Sequence, residues 1–320
     1  MIHSLRLDRT LGLPASVVTW LTWAAFAFGY LGLVAWPFDL FSNFRVQYLA
    51  IFGACALVLV VVRRFKTAIA ALLGLAATLT TIAPYLARAE SVPAAQTFRI
   101  VTFNAWFRNR DRQRLVEFLR TSDADVLIVQ ELSRVEVERI GRLLPAYPYR
   151  TVTPHLPRGL AIFSRWPLEA EHMRLPGQRV TRITRATIDW AGSEVVLFGA
   201  HLSWPLGRME SRARTAQLSL IASRASAERG PVVVAGDFNL TPWSPHFSRF
   251  VERSGLTDCA VGQGLQPTWP SQFWPVRIRI DHCFVSRHWR VHRLSVGPHL
   301  GSDHLPVIAD LVLEADTDSR

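Results

Sequence analysis

The residues in this sequence best placed to do chemistry stand at the ends of apolar runs. Residues 232–240 read Val-Val-Val-Ala-Gly-Asp-Phe-Asn-Leu: four small or β-branched residues, then Gly236, Asp237 and Asn239. The run predicts a buried strand. Because strand side chains alternate between faces, Asp237 and Asn239 are placed on the same face. Asx turns explain many such residues at strand ends, so the pattern gains force from its repetition. Asn104 follows Ile-Val-Thr-Phe, Glu131 follows Leu-Ile-Val-Gln, and His201 follows Leu-Phe-Gly-Ala. Asp281 follows Ile-Arg-Ile, and Ser302-Asp303-His304 precedes another apolar run. Polar groups at the rim of a core are costly unless they are paired or used. Carboxylate and carboxamide oxygens without thiolates suit a hard cation such as Mg²⁺ or Mn²⁺. Histidines among them suit proton transfer or donation to an anion.

These residues need a scaffold of strand ends. From Phe98 onward the pattern alternates: strands at 98–105, 126–132, 149–153, 160–164, 179–190, 194–201, 231–240, 278–285 and 305–313, with helices at 111–121, 133–144, 208–229 and 244–254. Gly255–Pro275 reads as an irregular loop. Strands outnumber helices and several run consecutively, which favours two packed sheets with helices on their outer faces over a single doubly wound sheet. In that arrangement the polar strand ends converge at one edge of the sandwich.

The first ninety residues are different. No charged residue occurs between Thr10 and Phe38, and Leu13–Trp36 is long enough to cross a hydrocarbon core of about 30 Å. Val46–Val62 and Thr67–Leu86 are further uncharged runs, and three within so short a stretch favour membrane spans over buried core helices. A cleaved signal peptide is the alternative for the first run, and its length and the two runs that follow argue against that. Arg63, Arg64 and Lys66 crowd the turn between the second and third runs, so the positive-inside bias puts that turn and the N-terminus in the cytoplasm. Three spans then deliver the remainder to the outer side of the cell (inner) membrane. The expected organisation is an anchor at 1–89, a polar linker at 90–97 and a globular domain at 98–320.

The 320 residues carry 36 Lys and Arg against 25 Asp and Glu, a net charge of +11, with Lys66 the only lysine. Residues 98–320 hold most of that excess, which suits phosphorylated or polyanionic substrates and an anionic membrane surface, and serves solubility equally well. Cys259 and Cys283 permit a disulfide that their spacing does not require. No Cys-rich zinc pattern and no internal repeat is present, and no segment points to an obligate protein partner.

Taken in order, these segments resemble the endonuclease/exonuclease/phosphatase superfamily. That group includes pancreatic deoxyribonuclease, abasic-site endonucleases, neutral sphingomyelinases and inositol-polyphosphate 5-phosphatases. Gly236-Asp237-Phe238-Asn239 and Gly301-Ser302-Asp303-His304-Leu305-Pro306 are the most specific marks. Phe103-Asn104, Gln130-Glu131, the stretch from Gly159 to Arg165, His201-Leu202 and Ile280-Asp281-His282 support them. The likeness spans roughly residues 98–313 and leaves the membrane segment outside. It implies a four-layer α/β sandwich, preceded here by three transmembrane helices. It implies Glu131 as the main metal carboxylate, with Asn104 beside it and Asp303 completing the shell around Mg²⁺ or Mn²⁺. It implies Asp237 as the group that orients or deprotonates water, Asn239 and His201 as donors to phosphate oxygens, His304 as the catalytic histidine and Asp281 as the carboxylate holding its imidazole. His282, a tyrosine in many relatives, reads as structural. The implied reaction is in-line attack of water on a phosphodiester, as in a nuclease, with a phosphatase or phospholipase C-like hydrolase of lipid or sugar phosphates as the alternative. The substrate is left open: nucleic acid, a phospholipid headgroup or a sugar phosphate. Trp204, Trp243, Trp269 and Trp274 lie near the site segments, available for stacking, for lipid contact or for ordinary packing. A non-catalytic envelope binding protein is the rival reading, and the completeness of the residue set weighs against it.

Overall fold

The computed structural model describes residues 8–89, 96–154, 156–175 and 181–314. The expected linker falls largely outside the described residues, as do the start of the strand expected at 179–190 and residues 315–320. Four helices come first: α1 (Leu13–Phe28), α2 (Trp36–Ser42), α3 (Arg45–Val61) and α4 (Phe65–Leu86). The sandwich follows as β1 (Phe98–Asn104), α5 (Arg112–Thr121), β2 (Val126–Leu132), α6 (Arg134–Leu143), β3 (Tyr149–Val152), β4 (Gly159–Ser164), β5 (Leu168–His172), β6 (Ile183–Trp190) and β7 (Ser193–His201). It is completed by α7 (Arg208–Ala227), β8 (Val232–Asp237), α8 (Pro245–Ser254), β9 (Thr257–Asp258), β10 (Asp281–Val285), β11 (Trp289–Val296) and β12 (Val307–Leu313).

The two mixed sheets run β11-β12-β1-β2-β4-β3 and β5-β6-β7-β8-β10-β9. Between them lies one apolar layer, with Ile100, Ile128 and Ile162 from the first sheet meeting Leu197, Val233 and Ala235 from the second. The outer face of the second sheet is covered by α7 and α8 through Ile221, Phe247 and Phe250. The outer face of the first is covered by α5 and α6 through Leu115, Leu119 and Ile140. The layers are therefore helix, sheet, sheet, helix. Both faces of the central strands are buried, which is why β2 and β8 read as continuous apolar runs. Caps set the helix starts. Asp111 accepts from the Arg114 amide, and Ser133 and Glu136 form a reciprocal capping box.

The N-terminal helices are apolar enough for two to three membrane spans, with one difference in how the middle one is built. Two, Thr10–Leu31 and Phe65–Leu86, are long and apolar enough to cross a membrane. A third crossing requires Trp36–Ser42 and Arg45–Val61, bent by 61° at their junction, to count as one span. The first run does not continue to Trp36, because Gly29–Leu31 tightens into a 3₁₀ turn before α2 begins. Asp39 and Arg45, the first charged residues after the opening apolar run, are both buried. The Arg45 guanidinium lies 3.8 Å from the centre of the Phe26 ring, and Asp39 pairs with Arg214 of the sandwich.

These helices are knitted to the sandwich. The Trp243 indole donates to the Thr81 carbonyl at 3.2 Å, and Gln47 donates to the Pro275 carbonyl at 3.1 Å. Backbone bonds join Gly262 to Pro84 and Gly264 to Tyr85. Tyr85 contributes to the core between the sheets. Cys259 and Cys283 are both free and buried.

Candidate active site

Strand parity and register bring the expected residues together. On β8, Val233 and Ala235 face the inter-sheet core, so Asp237, next in the alternation, faces the same way. In the register of the second sheet, Asp237 lies opposite His201 of β7 on one side and Asp281 of β10 on the other. Three of the expected site residues thus stand in one row across adjacent strands. In the facing sheet, Asn104 has the same inward parity as Ile100 on β1. Its amide Nδ2 donates to Asp237 Oδ2 at 3.0 Å, bridging the two sheets.

Glu131 follows another route. Gln130 has the inward parity of Ile128 and donates to Thr102 Oγ1 at 2.9 Å, so its neighbour should point outward to the helices. A bulge between Gln130 and Leu132, with Glu131 at φ +63°, reverses that. The turned carboxylate accepts from Asn104 Nδ2 at 3.3 Å and from the Phe107 amide at 3.0 Å. A non-glycine residue in this region of φ is strained, and bulges that re-aim a side chain cluster at functional sites. Gly236 is similarly constrained: at φ +150°, a Cβ there would stand 1.8 Å from the Ala200 carbonyl oxygen. No other residue type lets β8 run this close to β7.

His304 arrives from the loop before β12. Its Nδ1 lies 2.8 Å from Asp281 Oδ2, and its Nε2 is 3.8 Å from Asp237 Oδ2. The Ser302 hydroxyl holds the loop, accepting from the His304 amide and donating to the Asn104 carbonyl at 2.7 Å. Burial alone would lower the pKa of His304, but Asp281 and Asp237 outweigh it and push it up to about 10. Burial and Asp281 raise Asp237 to about 7, opposed by His304. His201 is driven down to about 3 by burial, Arg182 and His304. Its Nε2 stands 3.7 Å from Asp237 and 3.9 Å from Glu131. The site therefore combines a cationic imidazole, a neutral imidazole and a carboxylate poised near neutrality.

Asn239, at φ +52°, donates its amide hydrogen to Asp237 Oδ1 at 2.9 Å and its side-chain amide to the Leu202 carbonyl at 3.0 Å. Its own carbonyl accepts from Arg214 at 2.6 Å. Asp303 accepts from the Trp269 indole at 3.2 Å, while its other oxygen is buried without a partner. Burial raises the Asp303 pKa, with His304 and Trp269 opposing. His282, read as structural, stacks among Phe238, Phe247 and Phe284 and bonds the Leu240 carbonyl. Of the four tryptophans near the site, Trp243 and Trp269 make the bonds already described, and Trp204 and Trp274 are exposed.

The donor set fits a hard cation. Glu131 and Asn104 are adjacent, Asp303 has an unsatisfied buried oxygen, and His304 is the one cationic imidazole among these carboxylates. Among the described residues, the one set of three His, Cys, Asp or Glu side chains with ligand atoms within 4.8 Å is Asp237, Asp281 and His304. That set is better filled by a proton, because the His304–Asp281 hydrogen bond already occupies it. The sequence names Ser302 and Trp269 without their supporting bonds to Asn104 and Asp303, and it does not mark Arg214 at all. Arg214 lies in mid-helix within no recognisable motif, so only the packing of α7 reveals it.

A sandwich of two mixed sheets with this rim of carboxylates, carboxamides and histidines is the framework of a phosphoester hydrolase. The sequence model of the Endonuclease/Exonuclease/phosphatase family matches residues 101–304, and the chain belongs to that family. Solved structures agree on the fold. An endonuclease/exonuclease/phosphatase from Beutenbergia cavernae DSM 12333 is 22% identical, with a TM-score of 0.59 over 69% of this chain and 72% of that one. D. rerio TDP2 complexed with single-strand DNA product is 20% identical, with a TM-score of 0.57 over 68% and 99%. Staphylococcus aureus beta toxin is 16% identical, with a TM-score of 0.53 over 66% and 99%. A search of curated proteins gives no match.

Proposed function

We propose that this chain is a membrane-anchored, divalent-metal-dependent phosphodiesterase whose catalytic face lies on the outer side of the cell membrane. The observation that carries the reading is the position of Asp237, bonded to Asn104 on one side and facing the His304–Asp281 pair on the other. Glu131 and Asn104, with Asp303, would hold a Mg²⁺ or Mn²⁺ ion, which would supply charge neutralisation at a phosphoryl oxygen. Asp237, poised near neutrality, orients the attacking water and takes its proton. The His304 imidazolium, fixed by Asp281, meets the charge that develops on the phosphoryl oxygens, and neutral His201 and Asn239 donate to the same group. Arg158 and Arg182 stand beside this rim, Arg182 donating to the Arg158 carbonyl at 3.0 Å, and give an anionic substrate a basic approach.

Nucleic acid is one substrate class consistent with that approach, and the TDP2 structure holds a DNA product. Phospholipid headgroups are the second reading. It is favoured by Arg214, which links the Asn239 carbonyl directly to Asp39 of the N-terminal helices. A panel of plasmid DNA, RNA, sphingomyelin, phosphatidylinositol phosphates and bis(p-nitrophenyl) phosphate, assayed with Mg²⁺ and Mn²⁺, tests the activity and separates the classes. No hydrolysis of any of them by the folded chain would refute the reading. A reporter fused after Arg320 tests the topology, and activity of that reporter only in the cytoplasm would reverse it.

A further inference from the structure

Besides the catalytic face, the structure holds a second basic recess, at the junction of the N-terminal helices with the sandwich. A cavity of about 720 Å³ opens between residues 32–37 and the outer faces of α7 and α8. None of the residues assigned above to the catalytic face lines it. One wall is apolar: Leu33, Val34 and Trp36, with Val34 78% exposed. The opposite wall carries Arg208, Arg212 and Arg249, all exposed, and none of them makes a hydrogen bond or ion pair among the described residues. Other arginines on the sandwich surface do have carboxylate partners, as Arg185 has Glu228 and Arg150 has Glu138.

The recess is built rather than incidental. A Cβ on Gly32 would come within 2.9 Å of Asp39 Oδ1, so this loop lies directly on the buried Asp39–Arg214 pair. That pair fixes the apolar wall relative to the arginine wall. The apolar wall is also the segment that leaves the first candidate span, Thr10–Leu31. A tryptophan at such an exit suits a membrane–water interface. Guanidinium groups bind phosphate oxygens bidentately, and basic pockets beside membrane helices take lipid headgroups.

We propose that this recess binds one anionic phospholipid, with its phosphate on Arg208, Arg212 and Arg249 and its glycerol and upper acyl chains against Leu33, Val34 and Trp36. The lipid is a fixed component at the junction and not the substrate. The inference rests on the reading that the N-terminal helices span a membrane.

The test uses the full chain reconstituted into phosphatidylcholine nanodiscs with and without phosphatidylglycerol, then purified in neutral detergent, with retained lipid measured by mass spectrometry. Wild type is expected to retain phosphatidylglycerol several-fold over its share of the bilayer, and the Arg208→Gln/Arg212→Gln/Arg249→Gln variant to lose that enrichment. Both should hydrolyse bis(p-nitrophenyl) phosphate at the same rate, which shows that the variant is folded. Should the triple variant not fold, Arg212→Gln and Arg249→Gln alone, at exposed sites, should each reduce the enrichment. Retention in proportion to bilayer composition by wild type overturns the proposal, as does unchanged enrichment in the folded variants. Displacement of the lipid by inorganic phosphate alone would reassign the site to a free anion and overturn it equally. Release of the chain from membranes by alkaline carbonate would remove the spanning reading itself. That outcome is distinct from a chain that stays embedded and shows no lipid preference.

Discussion

Asp39 of the N-terminal helices and Arg214 of the sandwich form an ion pair buried on both sides, and the second amino group of Arg214 donates to the Asn239 carbonyl at 2.6 Å. The Ser244 hydroxyl completes the shell of Asp39 at 2.5 Å. Removing one member of a buried pair leaves the other charge uncompensated, which costs about 3–5 kcal/mol, whereas replacing both with apolar residues is often neutral. Asp39→Leu should therefore lower the melting temperature of the detergent-solubilised chain sharply, and Asp39→Leu/Arg214→Leu should recover most of it. Turnover should not recover with it, because the Asn239 carbonyl then lacks its donor. Wild-type turnover in the double variant would show that Arg214 does not position Asn239.

Activity should require a divalent cation. Glu131→Gln removes a charge at nearly constant volume and should cost about 10²–10³-fold in turnover, the scale of losing one preorganised electrostatic contact. Part of the loss should return at high Mg²⁺, with an unchanged circular dichroism spectrum. Full activity in EDTA would end the metal assignment.

His304 and Asp281 should act as one unit, because a carboxylate that only orients an imidazole loses its value once the imidazole is gone. His304→Ala should cost about 10²–10⁴-fold, and Asp281→Ala less. The double variant should be scarcely slower than His304→Ala. Additive losses in folded proteins would separate the two residues. Asp237→Asn should match His304→Ala in severity, since it disables the water.

Stability should respond to pH through His282. Burial lowers its folded pKa from 6.5 to about 4, with Arg279 assisting. A depressed histidine means that the unfolded chain binds the proton more readily, so its contribution to stability is intact above about pH 6.5 and is lost as pH falls toward 4. His282→Tyr removes that titration. Denaturant unfolding between those values should show a shallower decline for the variant than for wild type, and parallel curves would dismiss His282 as the cause.

The central strands and the site segments were legible because the same feature marks both: an unbroken apolar run ending in a carboxylate, carboxamide or imidazole, as at Asp237 and Asn104. Strands β5, β9 and β11 escaped the sequence reading. All three are sheet edges, and edges carry exposed charges such as Glu169, Glu171 and Arg293 in place of a buried alternation. The inward turn of Glu131 was equally invisible, since parity predicts the opposite face and only the bulge reverses it. Asp39 carries no mark of its role in the sequence, because its partner Arg214 lies 175 positions away.

The first and last strands of the sandwich are neighbours, β12 lying between β1 and β11 with Phe98 opposite Leu311. His304 stands just ahead of β12, so the imidazole reaches Asp281 only when the final strand inserts. During synthesis the row of His201, Asp237 and Asp281 can form from β7, β8 and β10 before His304 joins it. The pairing of His304 with Asp281 therefore depends on β12 reaching its place beside β1.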